Sequence, residues 1–442
     1  MGTSRIAVVG SGVAGLATAW MLSQRYAVTL YERDTRLGGH ANTIDAGSGE
    51  SCVAMDTGFM VYNERNYPLL TRLFAHFDIA TRPSDMSFSV SIGQGSYEWA
   101  GDNLNTVFAQ RRNLFSRRHW RLLRDIVRFN RAAYRLLHDT DADPALRLGD
   151  FLAREGLSDA LANDYLLPMA AAIWSCPTAT MRDFPALSLC RFFRNHGLID
   201  LFDRPRWRTV IGGSRQYVNR LIAAAPLQLR LGEPVHRIAA HGNGWQVRTD
   251  SGGEDFDQVV LASHADETRA LLQDAPAPLM DLLGAFRYQP NDTWLHSDPS
   301  LMPQRRAVWS SWNYLAHDQS DGTRDVAVTY WLNRLQGLPG AQPWFVSLNP
   351  PHAPREDRVA RHMNYTHPVF DTAAMNAQRR LPDLQGMRGL WLAGAWTGYG
   401  FHEDGLASAV SIARRLGALP EWLDLEAPRA GTAPGKLVLD AG

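Results

Sequence analysis

Lysine is almost missing from this chain: of 45 basic residues only Lys436 is a lysine, and every other one is arginine. Chemistry that depends on a lysine amine away from the last few residues is thereby excluded. Cysteine is also scarce. The three thiols, Cys52, Cys176 and Cys190, form no C-x-x-C pair and no metal-ligand spacing. They read as reduced core or near-core thiols in a cytosolic setting, and no metal site is argued. Acids and bases balance at 45 each, so no net field points to nucleic acid. No apolar run reaches the ~18 residues of a membrane span. Residues 1–4 lead straight into an apolar run, so no signal peptide is expected. There is no internal repeat. What remains is a globular balance, 45% hydrophobic and 20% charged over 442 residues, enough for two or three compact domains.

What is present begins at once. Arg5-Ile6-Ala7-Val8-Val9 runs into Gly10-Ser11-Gly12-Val13-Ala14-Gly15, an apolar helical stretch follows, and Val28-Thr29-Leu30-Tyr31 ends in Glu32. Strand, glycine turn, helix, strand and acid in that order form a dinucleotide-binding fingerprint. Gly10 permits the tight turn, Gly12 lets backbone approach a pyrophosphate, and Gly15 lets helix pack on strand. The helix N-terminus, at Val13 and Ala14, offers N–H groups to phosphate. Glu32 stands where an acid binds ribose hydroxyls.

The fingerprint does not separate NAD from FAD. The next residues, Arg33-Asp34-Thr35-Arg36-Leu37-Gly38-Gly39-His40-Ala41-Asn42-Thr43, carry a second diglycine. This resembles the R-x-G-G-[RH]-x-x-T continuation of the flavin amine oxidase and phytoene desaturase superfamily. The resemblance implies that Gly38 and Gly39 lie at the FAD pyrophosphate with Arg36 beside them, and that His40 stands where Arg is more usual. Near the other end, Gly389 to Thr397 is an apolar run into a glycine turn at Gly394, and Leu406 to Leu416 reads as a helix with Asp404 as its N-cap. This resembles the superfamily's closing motif, whose helix touches the flavin ring; a helix N-terminus there stabilises negative charge on the reduced flavin. Val235 matches the position whose backbone meets adenine. The cofactor set is therefore Gly10, Gly12, Val13, Ala14, Gly15, Glu32, Arg33, Arg36, Gly38, Gly39, His40, Val235, Gly394, Asp404 and Leu406, holding one FAD.

The expected fold class is α/β: a two-domain FAD-binding Rossmann-like fold of the amine oxidase type, with a discontinuous FAD domain and an α+β substrate domain. Residues 1–66, 205–287 and 385–420 are assigned to the FAD domain, 67–204 and 288–384 to the substrate domain, and 421–442 to a flexible tail. Spacings of three and four predict that 67–204 is mostly helical. Short strands are expected at Leu227–Leu231, Val235–Ile238, Trp245–Val247 and Val259–Leu261, and a tryptophan-rich sheet from about Tyr288 to Val346.

The segments Trp174-Ser175-Cys176-Pro177, Phe184-Pro185-Ala186, Arg191-Phe192-Phe193, Asn195-His196-Gly197-Leu198 and Gly398 to Gly405 resemble, together, a bacterial family of amine oxidase-like flavoproteins often found near cyclopropane-fatty-acid synthase-type methyltransferases. Many amine oxidases keep a lysine that holds a water at flavin N5; here it is missing. Phe401 stands where those enzymes often carry a cage tyrosine. Both departures speak against an amine and for an apolar, fatty-acyl substrate, dehydrogenated in a dry pocket. His402 and Glu403 are the candidate proton-handling pair, the carboxylate tuning the ring, with Tyr399 as a hydrogen-bond donor. Asn195 and His196 form a second polar pair, read as a satisfied buried histidine. The rival functions are a double-bond isomerase, an amine oxidase and a non-catalytic flavoprotein subunit.

Residues 111–135 carry nine arginines opposed only by Asp125. Arg121, Arg124, Arg128, Arg131 and Arg135 advance along one helix face, with Leu123, Val127 and Tyr134 on another. A basic amphipathic helix suits an anionic membrane surface, which places the protein in the cytoplasm with peripheral contact on the inner membrane face. No nucleic-acid module accompanies it, and the sequence leaves the oligomeric state open.

Overall fold

The computed structural model describes residues 4–47, 49, 52–174, 181–199, 205–318 and 324–425. Cys176, with the rest of Ser175–Pro177, and Lys436 lie outside them, as does all of the expected tail beyond 425.

The fold is mixed α/β. A five-stranded sheet, parallel throughout, has the order Gln228–Leu231, Ala27–Glu32, Arg5–Val9, Gln258–Leu261, Leu390–Leu392. Its strands come from three widely separated stretches of chain. The two central ones, β1 (Arg5–Val9) and β2 (Ala27–Glu32), are almost wholly buried, which is why they read as continuous apolar runs rather than as alternation. Between them helix α1 (Val13–Ser23) has all eleven residues buried, sandwiched between the sheet and the late helix His402–Arg415. An antiparallel meander of Arg237–His241, Gly244–Thr249 and Gly252–Phe256 sits beside the sheet. Val235 falls just before its first strand, in extended chain that passes the end of β2: the Gly232 and Glu233 N–H groups donate to the Asp34 and Glu32 carbonyls at 3.0 and 2.9 Å.

A second, seven-stranded sheet runs Val359–Val369, Arg287–His296, Phe345–Leu348, Arg324–Trp331, Trp312–Asp318, Phe88–Ile92, Tyr97–Ala100. Its last two strands correct the helical expectation for 67–204. The alternation Phe88, Val90, Ile92 is a period-two signal, and Phe88–Ile92 joins the sheet by parallel pairing with Trp312–Asp318. Around it lie the helices Arg117–His138, Leu148–Arg154, Leu167–Trp174 and Ala186–Asn195, which share a core with Val90, Ile92 and Tyr314.

The helix Arg117–His138 buries Leu122, Phe129, Ala133 and Leu136 and, among them, Asp125. That carboxylate accepts from Arg128 (2.9 Å) and from the Ser158 N–H (3.2 Å). Two further expectations are corrected. The tail does not begin at 421: Leu423 is buried, the Trp422 ring stacks on His76 at 4.0 Å, and Arg414 pairs with Asp424 at 2.7 Å. Cys52 is a surface thiol, whereas Cys190 is buried.

Candidate functional site

The site starts from the end of β1. Gly10 takes φ +101°, and a Cβ there would stand 2.8 Å from the Ala262 carbonyl oxygen. A Cβ on Gly15 would fall 1.9 Å from the Gly10 carbonyl oxygen, so this residue's smallness is required by the turn itself. Gly12 differs. It has ordinary helix-entry dihedrals, and a Cβ on it would meet nothing within 4 Å. Helix α1 begins there with no side-chain cap and no acid in its first turn. Its first internal bond is Leu16 N–H to Gly12 O at 2.9 Å, so the N–H groups of Val13, Ala14 and Gly15 precede the intrahelical ladder. Gly39, at φ +55°, brings its own backbone opposite: a Cβ there would lie 3.2 Å from Gly12 Cα. The second glycine turn thus packs closely on Gly12, and the open space on the side where a Gly12 Cβ would point, together with an uncapped helix N-terminus, fits a pyrophosphate.

Glu32 lies at the rim. Its Oε2 accepts from Ser11 N–H and Oγ–H at 2.9 and 2.5 Å, and its Oε1 from Asp34 N–H at 2.9 Å. These bonds hold the carboxylate beside the glycine turn and next to the extended chain carrying Val235. Arg36 is half-buried beside Leu37 and Gly38. Arg33 points elsewhere, to Glu267 at 2.8 Å on the surface. His40 is half-buried, and its Nε2, shielded from solvent, has no hydrogen-bond partner among the described residues. Its ring lies 4.9 Å from Tyr365 and 5.2 Å from His367. Burial first, and the neighbouring imidazole of His367 second, keep it uncharged.

The late helix His402–Arg415 closes the other side. Gly405 sits where a Cβ would be 2.8 Å from Val13 Cγ1, so the first turns of this helix and of α1 meet directly. Leu406 is fully buried behind that contact, and the Gly394 N–H donates to Ser408 Oγ at 3.0 Å. Asp404 is not the N-cap. It is the third residue of the helix and reaches back to accept from the Phe401 N–H at 2.9 Å. Burial pushes its carboxyl up to about 6.

The expected couple of His402 and Glu403 does not form. Glu403 turns away and caps a different helix, Pro68–His76, accepting from Leu69 N–H (2.8 Å) and Leu70 N–H (3.0 Å). Burial pushes it up to about 7. His402 faces the opposite way, stacked on Phe59 at 3.8 Å, with Nε2 3.0 Å from the Tyr217 hydroxyl. Burial holds its imidazole down at about 3, so it is neutral. Tyr399 is buried beside Ser188 and Phe192, and burial raises its phenol. Phe401 stacks on Phe192 at 5.1 Å and lies 5.8 Å from His196. His196 is satisfied through Nδ1 by the Phe192 carbonyl (2.9 Å), and burial takes it down to about 4; Asn195 is exposed and does not join it.

Two partners of His402 escaped the sequence reading. They are Tyr217, on the helix Arg215–Ala223, and Phe59, just beyond the strand Val53–Asp56. Asp56, just before Phe59, was also missed as a structural hub: buried, it accepts from Thr43 Oγ1 (2.6 Å) and from Ser214 N–H (2.8 Å). A lone acid followed by Thr-Gly was the available signal.

Comparison with known proteins places this geometry. The sequence profile described as flavin containing amine oxidoreductase matches residues 13–291. A carotenoid phi-ring synthase of Streptomyces griseus is 27% identical over 341 residues, 71% of this chain and 61% of that protein. The chain therefore spans less than two thirds of the length of that curated relative. Among solved structures, a CLA-producing fatty acid isomerase from P. acnes has a TM-score of 0.64 at 14% identity, covering 93% of this chain and 98% of the other. Wild-type putrescine oxidase bound to putrescine has a TM-score of 0.64 at 15% identity, covering 94% and 99%. At these identities the structural likeness speaks for the fold.

Proposed function

The chain belongs to the flavin-containing amine oxidoreductase family, and we propose that it is an FAD-dependent oxidoreductase that removes hydrogen from an apolar, fatty-acyl lipid, a desaturation. When bound, FAD supplies the acceptor for a hydride leaving a C–H bond. The chain's own residues hold the substrate, exclude water and handle the proton.

One observation carries the substrate reading. Around His402 the structure presents ring faces and uncharged imidazoles: Phe59, Phe192, Phe401, His196 and His402 itself. The two carboxylates of that turn point at backbone N–H groups. Such a wall suits an acyl chain and offers no anionic partner to an ammonium group. The fatty acid isomerase and the carotenoid synthase, by their names, act on apolar molecules, which supports the same class.

A second reading is favoured by the basicity of His402. An imidazole held at about 3 is a weak proton acceptor at neutral pH. Desaturation must dispose of a proton as well as a hydride. Isomerisation of a double bond returns the hydrogen to the substrate and needs neither a strong base nor an external oxidant.

The test is anaerobic titration of the yellow protein with extracted phospholipids, free fatty acids and amines. Bleaching by a lipid class alone is expected, and bleaching by amines alone would overturn the substrate reading. Product formed with no oxygen or quinone consumed selects the isomerase.

A further inference from the structure

One surface of the helical region has no part in the proposed reaction. Between Asp102 and Asp125 the chain carries six arginines and no acid. Arg118 is held by Asp164 at 2.8 and 2.9 Å, and Arg124 leans on Asp125. Arg111 reaches only the Phe108 carbonyl (3.3 Å), and Arg112, Arg117 and Arg121 are exposed and meet no carboxylate among the described residues.

Among these cations stand apolar side chains in water. Phe115 is 89% exposed, Leu104 78%, Trp120 52% and Leu114 42%; the first three are the most exposed large apolar side chains among the described residues. The backbone beneath them is fixed. Gln110 is buried and donates to the Gly95 carbonyl at 2.8 Å. Ser116 caps the helix Arg117–His138 by accepting from the His119 N–H (3.3 Å), and buried His119 meets the Tyr97 hydroxyl at 2.7 Å. Trp120 Nε1–H donates to the Leu114 carbonyl at 2.8 Å, with its ring 5.3 Å from Phe108. The apolar tips therefore project from an anchored turn.

We propose that this face docks on an anionic phospholipid bilayer. Phe115, Leu104, Leu114 and Trp120 enter the acyl boundary, while Arg111, Arg112, Arg117 and Arg121 meet lipid phosphates. Charge complementarity selects this occupant: a second copy packed on the same face would bring unopposed arginines together, whereas a lipid headgroup layer neutralises them. Convex apolar and aromatic tips ringed by arginine are also the composition of an interfacial anchor rather than of a protein-binding groove. The later half of the same helix is not part of the surface, because Arg128 and Arg135 are tied to Glu155 (2.9 and 2.6 Å). That half packs instead on Ala186–Asn195 through Phe129 and Phe193, so the docking face and the Phe192 wall are joined by one helix pair. The inference rests on the surface alone and stands or falls apart from the substrate reading.

The experiment is cosedimentation of the full-length FAD-loaded protein with vesicles of phosphatidylcholine, with and without phosphatidylglycerol, at low and high salt. Binding is expected to the phosphatidylglycerol vesicles and to weaken with salt. Replacing Phe115→Ser and Trp120→Ser together should lower affinity at least ~10-fold, given the area withdrawn from the acyl boundary. Each of Arg112→Ser and Arg117→Ser should lower it roughly fivefold. Unchanged circular dichroism and FAD content show that the variants are folded. Absence of binding by the wild type, or equal binding by the variants, overturns the proposal. A concentration-dependent dimer that is lost in Phe115→Ser, without vesicle binding, assigns the face to a second copy and overturns it too.

Discussion

Two helices begin against one another in this molecule, and they begin differently. Helix α1 starts at Gly12 with no side-chain acceptor, no acid in its first turn and open space in front. The helix His402–Arg415 starts with two carboxylates in its first turn, both half-buried and both already bonded to backbone N–H groups, one of them in another helix. The first terminus is left vacant for an external anion. The second is finished internally and fixes its neighbours, the helix Pro68–His76 through Glu403 and the segment bearing Phe59 through His402. The same dipole therefore serves binding at one end of the chain and positioning at the other.

The largest effect should separate the two kinds of glycine. Gly12→Val places its side chain where only the cofactor would be met, so the chain should fold and lose FAD binding by more than ~100-fold (a bidentate phosphate contact and its backbone approach both go). Gly15→Ala strikes the Gly10 carbonyl and should fail to fold. A colourless, cooperatively unfolding Gly12→Val beside an insoluble Gly15→Ala is the expected pair; a yellow Gly12→Val breaks the comparison.

Next comes Glu403. Glu403→Ala orphans the Leu69 and Leu70 N–H groups and should cost about 1–3 kcal/mol, measured by urea denaturation. Glu403→Gln adds the pH dependence. A carboxyl raised to about 7 in the fold stabilises below its unfolded pKa of about 4.5, and that contribution is lost as pH rises through 7. The Gln variant should therefore gain on the wild type as pH goes from 4.5 to 7.5. A constant difference across that range would show that Glu403 is ionised throughout.

The neutral histidines have the opposite sign. His402, His196 and His367, lowered to about 3, 4 and 4, contribute stability that is present above pH 6.5 and lost as pH falls toward those values. Between pH 4.5 and 6 they offset Glu403, Asp404 and Asp56. His296, also held down to about 4, and His40, held well below its usual value, tip that balance. Below about pH 4 the carboxylates held low in the fold, Asp125 and Asp298 among them, add their own loss, so the thermal midpoint should fall gently as pH drops from 6.5 and steeply below 4, as followed by circular dichroism.

The smallest effect sharpens the meeting point itself. Gly405→Ala pushes on Val13 Cγ1, a side chain that can yield, and should cost about 1–2 kcal/mol with weakened FAD affinity. Val13→Ala in the same chain should recover part of it.

The two ends of the site were legible in the sequence because their logic is local and steric: glycine where backbone must approach, apolar runs where strands are buried on both faces. The coupling of His402 to Glu403 was not legible, because neighbours on a helix point about 100° apart and cannot share one side of it. Adjacency in sequence suggested a pair; the helix instead sends one to Tyr217 and the other to Leu69. The hairpin of Phe88–Ile92 with Tyr97–Ala100 is local and carried a period-two signal, but the edge it joins, Trp312–Asp318, lies some 220 residues later and the helical spacings on either side masked it. The buried face of Arg117–His138 was not legible because it contains Asp125, whose counter-charges Arg124 and Arg128 sit on the same helix.

The contact of Gly405 with Val13, reinforced by the Tyr26 hydroxyl donating to the Leu416 carbonyl 390 residues away at 2.7 Å, has a consequence for biosynthesis. During synthesis the phosphate turn is made hundreds of residues before the helix that closes on it. The half-site made first therefore stays unfinished until that helix has been made, and the pace of cofactor loading is set by so distant a closure.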